Sequence, residues 1–207
     1  MDEPDFLFDG PADGPTVALA HGAGAPMDSQ FMAAVARGLA AGGLRVARIE
    51  FPYMRRRRET GERRPPDRTP ALREAWLAAV AALGGGERLV IGGKSLGGRI
   101  ASMIAGEAGV RGLVCLGYPF HPPDHPERLR TAHLADLATP ALILQGTRDP
   151  FGTREEVGRY ELSPAIRVVW IEDGDHSFKP RASSGRTERQ NLETAVAAAL
   201  GFVRGLR

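Results

Sequence analysis

The chain has a single cysteine, Cys115, in 207 residues, which excludes an internal disulfide. Its setting in Gly112-Leu-Val-Cys-Leu-Gly117 reads as the middle of a buried strand, so a packed, unreactive thiol is expected. No stretch approaches the roughly 18 apolar residues of a membrane span, and the opening Met1-Asp-Glu-Pro-Asp5 is acidic where a secretory leader is basic. A soluble, cytoplasmic protein with no membrane partner is the expectation. A large charge of one sign is also missing: 27 Lys and Arg stand against 25 Asp and Glu, too even for non-specific nucleic-acid binding. Internal repeats, heptads and an interdomain linker are absent. So are a His/Cys/Asp/Glu cluster with metal-ligand spacing and a dinucleotide glycine signature after a strand, and no metal or other cofactor is expected. With 43% of positions apolar, the length suits one sizeable core, and 1–207 reads as a single domain.

What is present is alternation. Near-continuous apolar runs at 16–20, 44–51, 88–92, 112–117, 141–145 and 166–171 read as strands covered on both faces. Between them, 29–41, 69–83, 96–107, 153–162 and 187–203 carry helical spacing, and Ser29 and Thr69 stand where helix caps are expected. This order specifies a mostly parallel sheet of about six strands with helices on both faces. Residues 52–68 and 118–126 read as irregular, the second because of Pro119, Pro122, Pro123 and Pro126. Loops leaving the carboxyl ends of parallel strands share one edge, and ligands bind there. The segments at that edge are 21–24, 52–55, 93–97, 118–121, 146–149 and 173–176, and nearly all the reactive side chains fall in them.

The strongest local signal is Leu89-Val-Ile-Gly-Gly-Lys-Ser-Leu-Gly-Gly-Arg99, a strand running through Gly-x-Ser-x-Gly into a helix. A turn this tight leaves no room for side chains at 93 or 97 and lifts Ser95 into the open at a helix amino end, where an oxyanion is favoured. The N–H of Leu96 is then the first oxyanion donor. A phosphate-binding loop is excluded, because Arg88 stands where that pattern needs a glycine. A serine hydroxyl needs a base, and the base an orienting acid, in the chain order Ser, Asp or Glu, His. Asp149, after an apolar run in Gly146-Thr-Arg-Asp-Pro150, and His176, in Asp173-Gly-Asp-His176, fit that order. Asp173 and Asp175 lie too near His176 in sequence to compete. His21-Gly-Ala-Gly24 follows the first strong strand, and Ala23, with Gly24 beside it, is the expected second oxyanion donor. His21 reads as a brace for that loop.

These segments resemble the α/β-hydrolase superfamily, within the group that includes dienelactone hydrolase-like proteins. More narrowly, His21-Gly-Ala-Gly24, Phe51-Pro-Tyr-Met54, Pro65-Pro-Asp-Arg68, Gly92-Gly-Lys-Ser-Leu-Gly-Gly-Arg99, Gly117-Tyr-Pro-Phe-His121 and Gly174-Asp-His-Ser-Phe178 are similar to a poorly characterised branch. It contains the hydrolase-like domain of a subunit of the nonspecific-lethal chromatin complex and small bacterial homologues. The similarity spans most of 15–205. It implies the α/β-hydrolase fold and a hydrolase activity, and says little of the substrate. The serine, histidine and aspartate, with no cofactor signature beside them, give the expectation of a serine hydrolase cleaving a small ester or thioester through an acyl-enzyme. The resemblance also raises the alternative of a catalytically silent interaction module. The interval 117–140 is too short for a substantial lid, so an open site is expected. His21, Tyr53, Arg55, Tyr118 and His121, all at the loop edge, are the candidate substrate contacts. Seven arginines (55, 56, 57, 58, 63, 64 and 68) make an anionic substrate one expectation, set against a basic segment neutralised by its own Glu59, Glu62 and Asp67.

Overall fold

The apolar runs pair side by side. A computed structural model describes residues 4–206; Met1, Asp2, Glu3 and Arg207, including the start of the acidic opening, lie outside the described residues. The strands are β1 (Phe6–Asp9), β2 (Thr16–Ala20), β3 (Arg45–Ile49), β4 (Val90–Lys94), β5 (Gly112–Leu116), β6 (Ala141–Gly146) and β7 (Ile166–Ile171), in one sheet of order β1-β3-β2-β4-β5-β6-β7. β2 to β7 are parallel; β1 alone runs antiparallel, with Phe6 opposite Ile49. The expected architecture therefore stands, with one strand more than the pattern suggested. β1 is four residues long, and half of it is exposed at an edge, so it carries no apolar run of its own.

The helices are α1 (Gln30–Ala41), α2 (Pro52–Thr60), α3 (Thr69–Ala82), α4 (Leu96–Ile104), α5 (Ala132–Ala135), α6 (Arg154–Val157) and α7 (Glu188–Gly205). Strand alternation sends Ala18, Ala20, Ile91 and Leu113 to one face, where Leu72 and Trp76 of α3 and Ile100 and Ile104 of α4 cover them. Val17, Leu19, Val90 and Val114 go to the other face, under Met32, Val35 and Leu39 of α1 and Ala195 and Ala199 of α7. β2 to β7 thus have core on both sides, which is why their runs are continuous rather than alternating. No helix among the described residues is long and apolar enough to cross a membrane.

Three local readings need correction. Pro52 does not open an irregular stretch: it occupies the first turn of α2, where its missing N–H is no loss, and Gly61 in the left-handed region ends the helix. The expected helix over 153–162 shrinks to α6, whose start is a capping box between Thr153 and Glu156 and whose end is Gly158. Ser29 stands at the N-cap of α1 as expected but makes no side-chain cap bond, and Thr69 is the first residue of α3, with Arg68 at the cap; Thr187 with Gln190 forms a second capping box at α7. Between β5 and β6 the chain forms only turns and the four-residue α5, with no lid.

Candidate active site

β4 ends at Lys94 and α4 begins at Leu96, so Ser95 alone makes the turn. It adopts φ 50° and ψ −112°, a backbone state that costs about 1–3 kcal/mol and persists only when its surroundings enforce it. The enforcement is visible. Ser95 N–H donates to Leu116 O at 3.1 Å, and Arg99 N–H donates to Ser95 O at 2.9 Å. A Cβ on Gly97 would stand 2.3 Å from Ala20 O, so the helix can approach β2 only without one. Trp76 Nε1 donates to Gly97 O at 3.2 Å and ties α3 to the same turn.

Asp149 follows β6 and is fully buried; His176 follows β7. His176 Nδ1 lies 2.8 Å from Asp149 Oδ2. The other contacts of Asp149 come from Gln145 Nε2, at 2.9 Å to Oδ2, and the Phe151 N–H, at 2.9 Å to Oδ1. The Phe151 ring lies against the imidazole, with centroids 4.2 Å apart. Burial lowers the proton affinity of His176; the hydrogen bond to Asp149 opposes this, the Lys94 ammonium adds to it, and Asp175 opposes it. Asp173 and Asp175 have other work. Asp173 pairs with Arg181, and Asp175 accepts the N–H groups of Ser177 and Lys179.

Ser95 and His176 line one cleft of about 530 Å³, walled by the loop from Gly22 to Ala25, by Phe31 and Met32 of α1, and by Phe151. The serine and the imidazole share the cleft without a hydrogen bond between them, a looseness common before substrate binds. Tyr53 Oη reaches Gly22 O at 3.3 Å and Ala23 O at 3.1 Å. In a planar trans peptide the N–H points opposite to the carbonyl, so the N–H groups of Ala23 and Gly24 point away from Tyr53. Leu96 supplies the first N–H of α4, beside Ser95.

None of the five candidate substrate contacts is among the residues that line this cleft. His21, Tyr53, Tyr118 and His121 are buried framework residues. His21 Nε2 accepts from Phe51 N–H at 3.1 Å, and its Nδ1 is 2.7 Å from Gly22 O, so both nitrogens brace the loop. Tyr118 Oη donates to Arg130 O, and His121 Nδ1 meets Pro122 O. Arg55 pairs with Asp5. The remaining arginines of this segment also lie outside the cleft: Arg58 bridges Asp28 and Glu50, Arg56 pairs with Asp67, and Arg64 with Glu62. Gln145, Phe31 and Met32 fall within strand and helix runs that mark them only as core, and Phe151 falls in the turn after Asp149, where no pattern singles it out.

A different serine–histidine pair, Ser102 Oγ and His133 Nε2, makes a part-buried contact at 2.8 Å. Ser102 is in the interior of α4, 3% exposed, and donates to Arg99 O at 2.7 Å, so it is not available to a substrate. Cys115 is buried in β5, and burial raises its thiol well above the usual range. Among the described residues no group of three or more His, Cys, Asp or Glu could hold a metal ion.

A strained serine between a central strand and a helix, with a histidine–aspartate pair arriving from the next strands of the same edge, is the arrangement of the hydrolase class of α/β folds. A family model described as an alpha/beta hydrolase domain matches residues 13–204, and the chain belongs to that family. Solved structures agree in fold. Dienelactone hydrolase from Anabaena variabilis is 21% identical with all of both chains covered and a TM-score of 0.71. The ferulic-acid complex of Est1E from Butyrivibrio proteoclasticus is 13% identical, with 97% of this chain and 96% of that one covered and a TM-score of 0.73. XC6422 from Xanthomonas campestris, an α/β serine hydrolase without a lid, is 19% identical over 95% of each chain at a TM-score of 0.64.

Proposed function

We infer that this protein is a serine hydrolase of the carboxylesterase type, cleaving a small ester or thioester through Ser95, His176 and Asp149. The observation that carries the reading is the buried Asp149 held 2.8 Å from His176 Nδ1 while the strained Ser95 opens into the same cleft. Nδ1 donates to Asp149, leaving Nε2 unprotonated to take the Ser95 proton as Oγ adds to the substrate carbonyl. The N–H groups of Leu96, Ala23 and Gly24 receive the oxyanion. The imidazolium then gives its proton to the leaving oxygen or sulfur, and the acyl group stays on Ser95. Water, deprotonated by His176, releases the acid and restores the serine. Asp149 orients and stabilises the imidazolium without taking the proton.

The cleft, with apolar walls at Phe31, Met32 and Phe151 and no lid, supports a short acyl group over a long chain. The paired arginines outside the cleft give no support to an anionic requirement. The test is covalent labelling by a fluorophosphonate, read as intact mass, beside turnover of short p-nitrophenyl esters. Wild type should label once and turn over; Ser95→Ala should do neither, and His176→Ala should lose turnover. A folded wild type that neither labels nor turns over any ester would refute the reading and favour the silent interaction module.

A further inference from the structure

Lys94 stands in the variable position of the serine turn, and the reaction above gives it no part. Its side chain is buried, 8% exposed, and lines the cleft beside Ser95. It runs past Gly22, where a Cβ would come within 3.4 Å of its Cγ, to Gly117, where a Cβ would meet Nζ at 3.0 Å and His176 Nδ1 at 3.3 Å. The ammonium donates to the backbone carbonyl of His176 and lies 5.5 Å from the centre of the Phe31 ring. A carbonyl does not neutralise a cation, so the charge acts on what surrounds it: Asp149, Asp175 and the imidazole of His176. Burial pulls the ammonium down to about pKa 8 against the opposing pull of the two aspartates. Burying an ammonium this way is costly, and a hydrogen bond to a carbonyl needs no full charge.

The charge has a use in the reaction. At rest Lys94 and Asp149 carry opposite charges. When the serine proton moves to His176 Nε2 and Oγ adds to the carbonyl, one imidazolium and one oxyanion appear together, so the four groups sum to zero before and after. Without Lys94 the same groups would be net negative in both states, and the imidazole would hold a proton more readily.

We propose that Lys94 is a positioning residue that acts through His176, its ammonium fixing the histidine backbone and its charge keeping the imidazole free to take the serine proton. The proposal rests on the serine-hydrolase reading. It is tested by the pH dependence of kcat/KM and of the fluorophosphonate labelling rate. Removing the cation in Lys94→Met should raise the acid limb by about one pH unit, a tenfold loss at a pH below the limb. Lys94→Arg, which keeps the cation, should leave the limb where it is even if the rate falls. A merely structural lysine would lower the rate without moving the limb in either variant. The wild-type protein gives an independent reading: the His176 ring resonance, followed by NMR through alkaline pH, should show a second inflection near pH 8 as Lys94 loses its proton. A folded Lys94→Met with an unmoved limb overturns the proposal; if that variant does not fold, a wild-type titration with one inflection does so. A wild type that does not label fails the serine-hydrolase reading itself, a distinct result.

Discussion

Gln145 offers a quantitative test of how the site is held. Its side chain is fully buried at the end of β6. Oε1 accepts the Tyr118 N–H at 2.7 Å, while Nε2 donates to Asp149 Oδ2 at 2.9 Å, Tyr118 O at 3.2 Å and Gly152 O at 3.3 Å. Gln145→Leu keeps the volume and deletes all four contacts. An orphaned buried N–H costs about 1–3 kcal/mol, and a lost bond to a charged acceptor about 1.5–3 kcal/mol. The sum, about 2.5–6 kcal/mol, is a large part of the roughly 5–15 kcal/mol that holds a domain of this kind together. Urea denaturation followed by circular dichroism reads it directly. Gln145→Glu keeps the acceptor for Tyr118 but sets a second carboxylate against Asp149. Its folded pKa is then raised above the unfolded one, so the destabilisation is relieved at low pH and grows as pH rises through the folded value. A Gln145→Leu protein within about 1 kcal/mol of wild type would refute the reasoning, since buried unpaired groups would then be tolerated here.

Two further outcomes are expected. Ser95→Gly should abolish labelling yet raise stability by about 1 kcal/mol in the same urea experiment, because glycine relieves the φ of 50°; Ser95→Ala, which keeps its Cβ, should not. Burial lowers His21, His133 and His176 from the usual histidine value of 6.5. The unfolded chain therefore binds these protons first, so the stability they provide is complete above pH 6.5 and is lost as pH falls toward their folded values. The urea midpoint should drop between pH 7.5 and pH 5.5. The lowered carboxylates Asp28, Glu156 and Asp173 act in a separate window, at and below the ordinary carboxylate range.

The sequence spoke clearly where one constraint dominates. Runs 16–20 and 166–171 match β2 and β7 to the residue, because turns bound them on both sides. Around Ser95, the glycines at 93 and 97 record a clash with Ala20 O that only the elbow creates, so local sequence carries the geometry. Substrate contacts were not legible in this way. That a residue follows a parallel strand places it at the right edge, but which way the side chain turns depends on neighbours distant in sequence. His21 turns inward because the Phe51 N–H awaits it 30 residues on, and Tyr53 because the carbonyls of Gly22 and Ala23 do. The arginines read as a loop because charge masks helical spacing. Their ion pairs, Arg58 with Asp28 and Glu50 above all, reach across the chain and leave no periodic trace.

Strand order assigns unequal protection to the parts of this site. β4, which delivers Ser95, has three strands on either side of it, and all its residues are buried. β7, which delivers His176, is an edge strand paired only with β6, and most of it is half-exposed. Opening of a sheet begins at its edges and costs least there. Ser95 therefore shares the lifetime of the whole fold, whereas His176 shares that of its least secured strand. On the proposed serine-hydrolase reading, mild stress would silence the protein through His176 first, with Ser95 still in place and activity recoverable once β7 re-pairs.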